Sequence, residues 1–202
     1  ISVANGTLGL YCALLALGIG PGDEVLVPDM TFIASANAVI MAGAKPVLCD
    51  IDQHSLGISI KSLSSKLSNK TKAIMPVHLY GNTADMDSIL KFAKEHNLKV
   101  IEDASQGVGV HYKGRHVGTF GDIGVLSYYG NKTITTAEGG MIITNDEDLA
   151  KICYRLKNHG RDQKGSFKHD YIGFNFSFTD LQAAVGVSQM KKLPEILRRK
   201  EE

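Results

Sequence analysis

Short apolar runs of strand length alternate with longer stretches of helical periodicity through most of the chain, with Gly or Pro at many of the changeovers. That rhythm leaves few folds open. Strands separated by helices pair in parallel, and the helices then cover both faces of the sheet. Thr7 to Leu17 carries small and apolar residues at helical spacing behind a threonine placed to cap it, and Gly18-Ile-Gly-Pro-Gly stops it. A strand is expected over Glu24 to Pro28, a helix capped by Thr31 through Ala42 and ended by Gly43, and a buried strand over Lys45 to Cys49. The pattern repeats with a short helix at Ser59 to Leu67, a strand at Lys72 to Val77, an amphipathic helix at Asp85 to His96 and a strand at Lys99 to Glu102. Two closely spaced strands, Ile123 to Tyr128 and Gly140 to Thr144, precede a surface helix at Asp146 to Asn158, and Thr179 is placed to cap a last one. The expected fold is α/β: one domain with a mostly parallel sheet flanked by helices.

The 44% hydrophobic content supplies enough apolar material for a full core. A formal net charge of +1 gives no basic footprint for nucleic acid and no acidic solvating tail. Cys12, Cys49 and Cys153 lack the paired spacings of metal or redox motifs, so buried free thiols in a reducing compartment are expected, with no metal. Apolar stretches are broken before membrane-spanning length and no charged leader opens the chain, which makes the cytoplasm the default location. Ile1 is not a start methionine and Lys191 to Glu202 reads as a helix cut in mid-course; a chain truncated at both ends is expected.

In open α/β sheets, ligands bind outside the carboxyl ends of the strands. Here those ends carry Pro28-Asp-Met-Thr-Phe, Pro76-Val-His-Leu-Tyr-Gly, Glu102-Asp-Ala-Ser-Gln and Ser127-Tyr-Tyr-Gly-Asn-Lys. Asn5-Gly6-Thr7 lies just before a helix, where backbone N–H groups and the helix dipole suit a phosphate, although a capped helix start explains it equally well. Asp103 directly follows the apolar pair Val100-Ile101, so its carboxylate is expected partly buried at a strand end; a protonated pyridine nitrogen is one partner for it, and capping the next turn is the plainer role. Lys132 sits amid Ser, Thr and Gly between two strands, where desolvation makes an amine nucleophilic; a solvated loop lysine is the other reading.

The order of these features is informative. A helix start suited to phosphate, a strand-end Asp, and a Ser five positions before a Lys follow the order of fold-type I pyridoxal-phosphate enzymes. The blocks Asn-Gly-Thr, Gly-Pro-Gly-Asp-Glu-Val, Pro-Asp-Met-Thr-Phe-Ile-Ala-Ser-Ala-Asn-Ala, Pro-Val-His-Leu-Tyr-Gly, Ile-Glu-Asp-Ala-Ser-Gln, Gly-Thr-Phe-Gly-Asp, Glu-Gly-Gly-Met and Phe-Thr-Asp-Leu-Gln-Ala-Ala span nearly the whole chain. On them the chain resembles the DegT/DnrJ/EryC1/StrS family of sugar aminotransferases.

The resemblance implies that residues 1–202 are the major part of the pyridoxal-phosphate-binding large domain of a fold-type I transferase, without the small C-terminal domain. It implies that Gly6, Thr7 and Ser127 bind the cofactor phosphate, Phe32 packs on the pyridine ring, Asp103 pairs with the ring nitrogen, Gln106 lies near the ring and its 3-oxygen, and Lys132 takes the aldehyde as an imine. Asn175 matches an asparagine that reaches into the neighbouring subunit's site, which implies a homodimer with shared active sites. Core packing for Phe32, a helix-start role for Gln106 and a turn role for Asn175 remain alternatives. His78, Tyr80 and His159 are candidates for the substrate side, with a structural role preferred for His159.

Tyr-Gly-Asn-Lys-Thr-Ile-Thr-Thr is particularly similar to the perosamine-synthase-like branch, which implies amination of GDP-4-keto-6-deoxymannose, or another nucleotide-linked keto-sugar, with glutamate as donor. Ala137 stands where many relatives have Gly. Members that act as sugar dehydratases have His in place of the lysine, and Lys132 argues against that branch. Two other functions fit the strand-helix rhythm. A non-catalytic regulator has little reason to keep Lys132, Asp103 and Ser127 together, and an NAD domain lacks its G-x-G-x-x-G after the first strand.

Overall fold

The computed structural model describes residues 1–162, 165 and 167–202. In chain order the elements are β1 (Ser2–Val3), α1 (Gly6–Ala16), β2 (Glu24–Pro28), α2 (Ala34–Met41), β3 (Lys45–Cys49), α3 (Ile60–Lys66), β4 (Thr71–Ile74), α4 (Met86–Glu95), β5 (Lys99–Asp103), β6 (His111–Tyr112), β7 (Arg115–His116), β8 (Ile123–Ser127), β9 (Gly140–Ile143), α5 (Glu147–Lys157) and α6 (Asp180–Glu201). Among the described residues, seven strands form one sheet in the order β1-β9-β8-β5-β4-β2-β3. The run from β3 to β8 is parallel, whereas β9 pairs antiparallel with both β8 and β1.

The chain leaves β2 for β3 in one direction, then returns across β2 to β4, β5 and β8 in the other. Right-handed crossovers therefore send α2 to one face and α3 and α4 to the opposite face. Side-chain alternation along the strands serves both layers: Val25, Val27, Ala73, Met75 and Ile101 pack with α1 and α2, while Leu26, Ile74 and Val100 pack with α3 and α4. Helix α6 buries no residue fully, but Leu193 and Ile196 pack on a third cluster around Ala104, Val117 and Leu126.

Most expected elements are present within a few residues, and their local signals act as anticipated. Thr179 caps α6 as expected, in a capping box with Gln182, while the caps of α4 and α5, for which no capping residue was expected, are Asp85 and Asp146. Gly18 and Gly43, both at positive φ, close α1 and α2 while Ile19 and Ala44 donate back to the Leu14 and Val39 carbonyls.

Three expectations need correction. Asn5, not Thr7, caps α1, because its side-chain oxygen reaches the Leu8 N–H and frees Thr7 to enter the first turn. Thr31 does not cap α2, which begins at Ala34, because its hydroxyl is engaged with Ser35. The strand Lys45–Cys49 is the sheet's edge, with Leu48 53% exposed, because among the described residues no strand pairs with it on that side. Two small features carried no sequence expectation. Strand β1 is two residues long, and the β6–β7 hairpin turns on Lys113-Gly114, both at positive φ.

Candidate active site

Parallel strands point their carboxyl ends the same way, so the residues after β2, β4, β5 and β8 gather along one rim with the start of α1. They enclose a cavity of about 360 Å³ whose wall includes Gly6, Thr7, Phe32, Asp103, Gln106, Ser127 and Lys132. Seven of the eight residues expected at a cofactor site thus share one cavity. The eighth, Asn175, is exposed on the segment before α6, bridges Asn158, accepts the Ser177 N–H, and does not line it.

One end of the cavity suits an anion. The first N–H groups of α1 have no partner within the helix, and Asn5 satisfies only that of Leu8 among the early ones through its side chain. A Cβ placed on Gly6 would lie 3.0 Å from Ser127 Cβ, 3.2 Å from Ser105 Oγ and 3.4 Å from Ser127 Oγ. Two hydroxyls therefore converge on the glycine at the helix start, and any larger residue there would fill the cradle. Gly140 permits this approach from below, since a Cβ on it would come within 2.9 Å of Gly6 N.

Asp103, 4% exposed, ends β5 inside the cavity. Its Oδ1 accepts the Ser105 N–H at 3.1 Å and its Oδ2 accepts the Ser35 hydroxyl at 2.7 Å. Gln106 is oriented by Tyr80, whose N–H donates to its Oε1 at 2.9 Å, leaving the amide NH₂ as a donor. Phe32 is 66% exposed and offers an open ring face to the cavity rather than packing in the core.

Lys132 is half-buried on the loop between β8 and β9. Burial pushes its ammonium below the ordinary lysine range, and the Asp103 charge opposes that shift without cancelling it. A larger neutral fraction makes it a better nucleophile than a solvated lysine. The loop is held from behind by α6: Gln182 Nε2 donates to the Glu138 carbonyl and Lys200 Nζ to Thr133 Oγ1. Ala137 in this loop has φ +66°, the left-handed region that favours glycine.

His78 is not on the substrate side. It is fully buried, its Nδ1 accepts the Ala84 N–H, and its Nε2 donates to Glu102 Oε2 at 3.0 Å. Glu102 also accepts the N–H groups of Gly118, Phe120 and Gly121, so the pair ties two loops together beneath Asp103. His159 is exposed at positive φ and does not line the cavity, whereas Tyr80, 73% exposed, borders the adjoining groove together with Lys132.

An anion cradle, an aromatic wall, a buried carboxylate and a desolvated amine fit a phosphorylated pyridine aldehyde. Residues 1–202 match the DegT/DnrJ/EryC1/StrS aminotransferase family throughout. The chain belongs to that family. It is 48% identical over 201 residues to the GDP-perosamine synthase of Escherichia coli O157:H7, covering 100% of this chain and 55% of that protein. The X-ray structure of the aminotransferase from Psychrobacter cryohalolentis superposes with a TM-score of 0.91 at 44% identity, over 96% of this chain and 52% of that one. The structure of ntda from Bacillus subtilis with bound cofactor PMP superposes with a TM-score of 0.90 at 38% identity, over 96% and 44%. This DegT/DnrJ/EryC1/StrS chain spans about half the length of the curated relatives it matches. None of its described helices is long and apolar enough to cross a membrane.

Sequence reasoning missed Ser35 and Ser105, yet in this aminotransferase-family chain Ser35 donates to Asp103 and the Ser105 hydroxyl joins the cradle. The Ser105 signal was available in principle, two residues after the acid. Ser35 lies 68 residues from its partner and had none.

Proposed function

We propose that this chain is the cofactor-binding large domain of a pyridoxal-phosphate-dependent aminotransferase, which moves an amino group from glutamate to a nucleotide-linked keto-sugar for amino-sugar or surface-polysaccharide synthesis. The observation that carries the reading is the meeting of Lys132, Asp103 and the Gly6 cradle in one cavity. When bound, pyridoxal phosphate supplies an electron sink for charge at the substrate carbon.

Lys132 would be the amine that holds the cofactor through its aldehyde, and would serve as the base and acid that moves a proton to and from the reacting carbon. Burial favours its neutral, basic form for that work. Asp103 would keep the ring nitrogen protonated by pairing its carboxylate with it. The N–H groups of Gly6 and Thr7 and the Ser127 hydroxyl would hold the phosphate, Phe32 would pack on the ring, and Gln106 would offer its amide as a donor near it. The name of the Escherichia coli relative, GDP-perosamine synthase, supports a GDP-linked sugar as the acceptor, and GDP-4-keto-6-deoxymannose is the one proposed.

The working unit is a homodimer in which Asn175 of the partner subunit completes each site. Its exposure outside its own chain's cavity supports this, as do Ile172, 88% exposed, and Leu181, 83% exposed, on either side of it in sequence. The free, buried cysteines support a reducing, cytoplasmic location.

Borohydride reduction of the intact protein with pyridoxal phosphate, followed by peptide mapping, should place the pyridoxyl adduct on Lys132. An adduct on another lysine, or none, refutes the assignment. Transfer of ¹⁵N from glutamate across a panel of nucleotide keto-sugars then identifies the acceptor.

A further inference from the structure

We propose that Ser35 is a positioning residue for the Asp103 carboxylate, with Thr31 fixing the direction in which the Ser35 hydroxyl points its proton; this rests on the reading that Asp103 meets the cofactor's ring nitrogen. Ser35 is the second residue of α2 and is fully buried. A helical serine commonly bonds a carbonyl of its own helix. Here its Oγ instead crosses to another element and donates to Asp103 Oδ2 at 2.7 Å.

The proton order along the chain follows from counting donors. An ionised carboxylate only accepts, and a hydroxyl has one proton to give. Ser35 spends that proton on Asp103. The 2.9 Å contact between Thr31 Oγ1 and Ser35 Oγ is then a hydrogen bond donated by Thr31. The polarity is fixed as Thr31 to Ser35 to Asp103. Thr31 itself lines the cavity, so the relay starts at the cavity wall and ends on the buried acid.

With Ser105 N–H on Oδ1 and Ser35 on Oδ2, each carboxylate oxygen has one protein donor and keeps a lone pair for a further one. Two donors from different elements pin the carboxylate's rotation about its own axis. The start of α2 therefore sets the angle at which the acid faces the ring nitrogen. A serine buried at this position would otherwise be a poor choice, since alanine is the better helix former and leaves no hydroxyl to satisfy.

The test uses the intact enzyme loaded with ring-¹⁵N pyridoxal phosphate. In Ser35→Ala the cofactor should still bind and still attach to Lys132. Its ring-nitrogen resonance should move toward that of unprotonated pyridine, and the half-reaction with glutamate should slow about 10- to 100-fold, the scale of one lost hydrogen bond to a charged group. Ser35→Thr, which keeps the hydroxyl, should restore the wild-type resonance. In an Asp103→Asn background Ser35→Ala should have less than about a twofold further effect, because the two residues act as one unit. Thr31→Val, nearly isosteric, should shift the resonance in the same direction by less, and carries the test should Ser35→Ala fail to fold. A wild-type resonance and rate in both Ser35→Ala and Thr31→Val, or in Thr31→Val alone if Ser35→Ala does not fold, would leave Ser35 a purely structural residue and overturn the inference alone. A wild-type enzyme that takes up no cofactor overturns it together with the functional reading.

Discussion

Replacing Glu102 by Gln is expected to destabilise the protein by about 3 kcal/mol or more at neutral pH. Each carboxylate oxygen accepts two hydrogen bonds: Oε1 from the N–H groups of Phe120 and Gly121, and Oε2 from Gly118 N–H and His78 Nε2. Whichever way the amide of a glutamine is turned, its NH₂ meets two donors. Hydrogen bonds to a charged group contribute about 1.5–3 kcal/mol each, so two lost ones amount to roughly 3–6 kcal/mol, and the lower end applies because a neutral amide is cheaper to bury. A tautomer change at His78 does not rescue the variant, since Nδ1 would then direct a proton at the Ala84 N–H it now accepts.

The pH dependence gives a second reading of the same bond set. Burial alone would raise the Glu102 carboxyl, but the bonds from His78, Gly121 and Gly118 outweigh it and hold the group below the ordinary glutamate value. A depressed carboxyl stabilises the fold fully above its unfolded-chain value of about 4.3 and loses that contribution as pH falls through the lower folded value. Urea unfolding of intact wild type and Glu102→Gln should therefore show a gap that is level near neutrality and closes in acid. Amide exchange at Gly118, Phe120 and Gly121 should accelerate in the variant. A neutral-pH loss below about 1 kcal/mol, or a gap that widens in acid, would refute the reasoning.

Gly6→Ala should lower cofactor affinity about tenfold or more while α1 stays folded, because the new Cβ would sit 3.0 Å from Ser127 Cβ and 3.2 Å from Ser105 Oγ in the space proposed for the phosphate. Titration with pyridoxal phosphate reads this, and an unchanged affinity would rule out the cradle. Lys132→Ala and Asn175→Ala homodimers should each be impaired, and refolding them together should return activity toward about a quarter of wild type, since two-fold symmetry gives each mixed dimer one intact site. No recovery despite confirmed heterodimers would confine Asn175 to its own chain.

The strand-helix rhythm, the helix stops at Gly18 and Gly43, the helix starts near Asp85 and Asp146 and the cap at Thr179 were all legible in the sequence, because each depends on residues within one or two turns. The same locality put Asp103, Ser127 and Lys132 at strand ends or just beyond, and a parallel sheet brings such ends to one rim whatever its strand order. Other features required the assembled fold. Capping failed at Thr7 and Thr31, where Asn5 competes for the first and Ser35 engages the second. The edge position of Lys45–Cys49 depends on strand order, which its own apolar residues do not encode. The bonds from Ser35 to Asp103 and from His78 to Glu102 join residues 68 and 24 positions apart, and a buried polar group has no local periodicity to announce its partner. Short-range packing and capping patterns thus determined the elements and their rim by themselves. Contacts distant along the chain decided which rim residues face the cavity, which lock the loops beneath it, and which hold the acid in place, because only a folded backbone brings those donors and acceptors within hydrogen-bond reach.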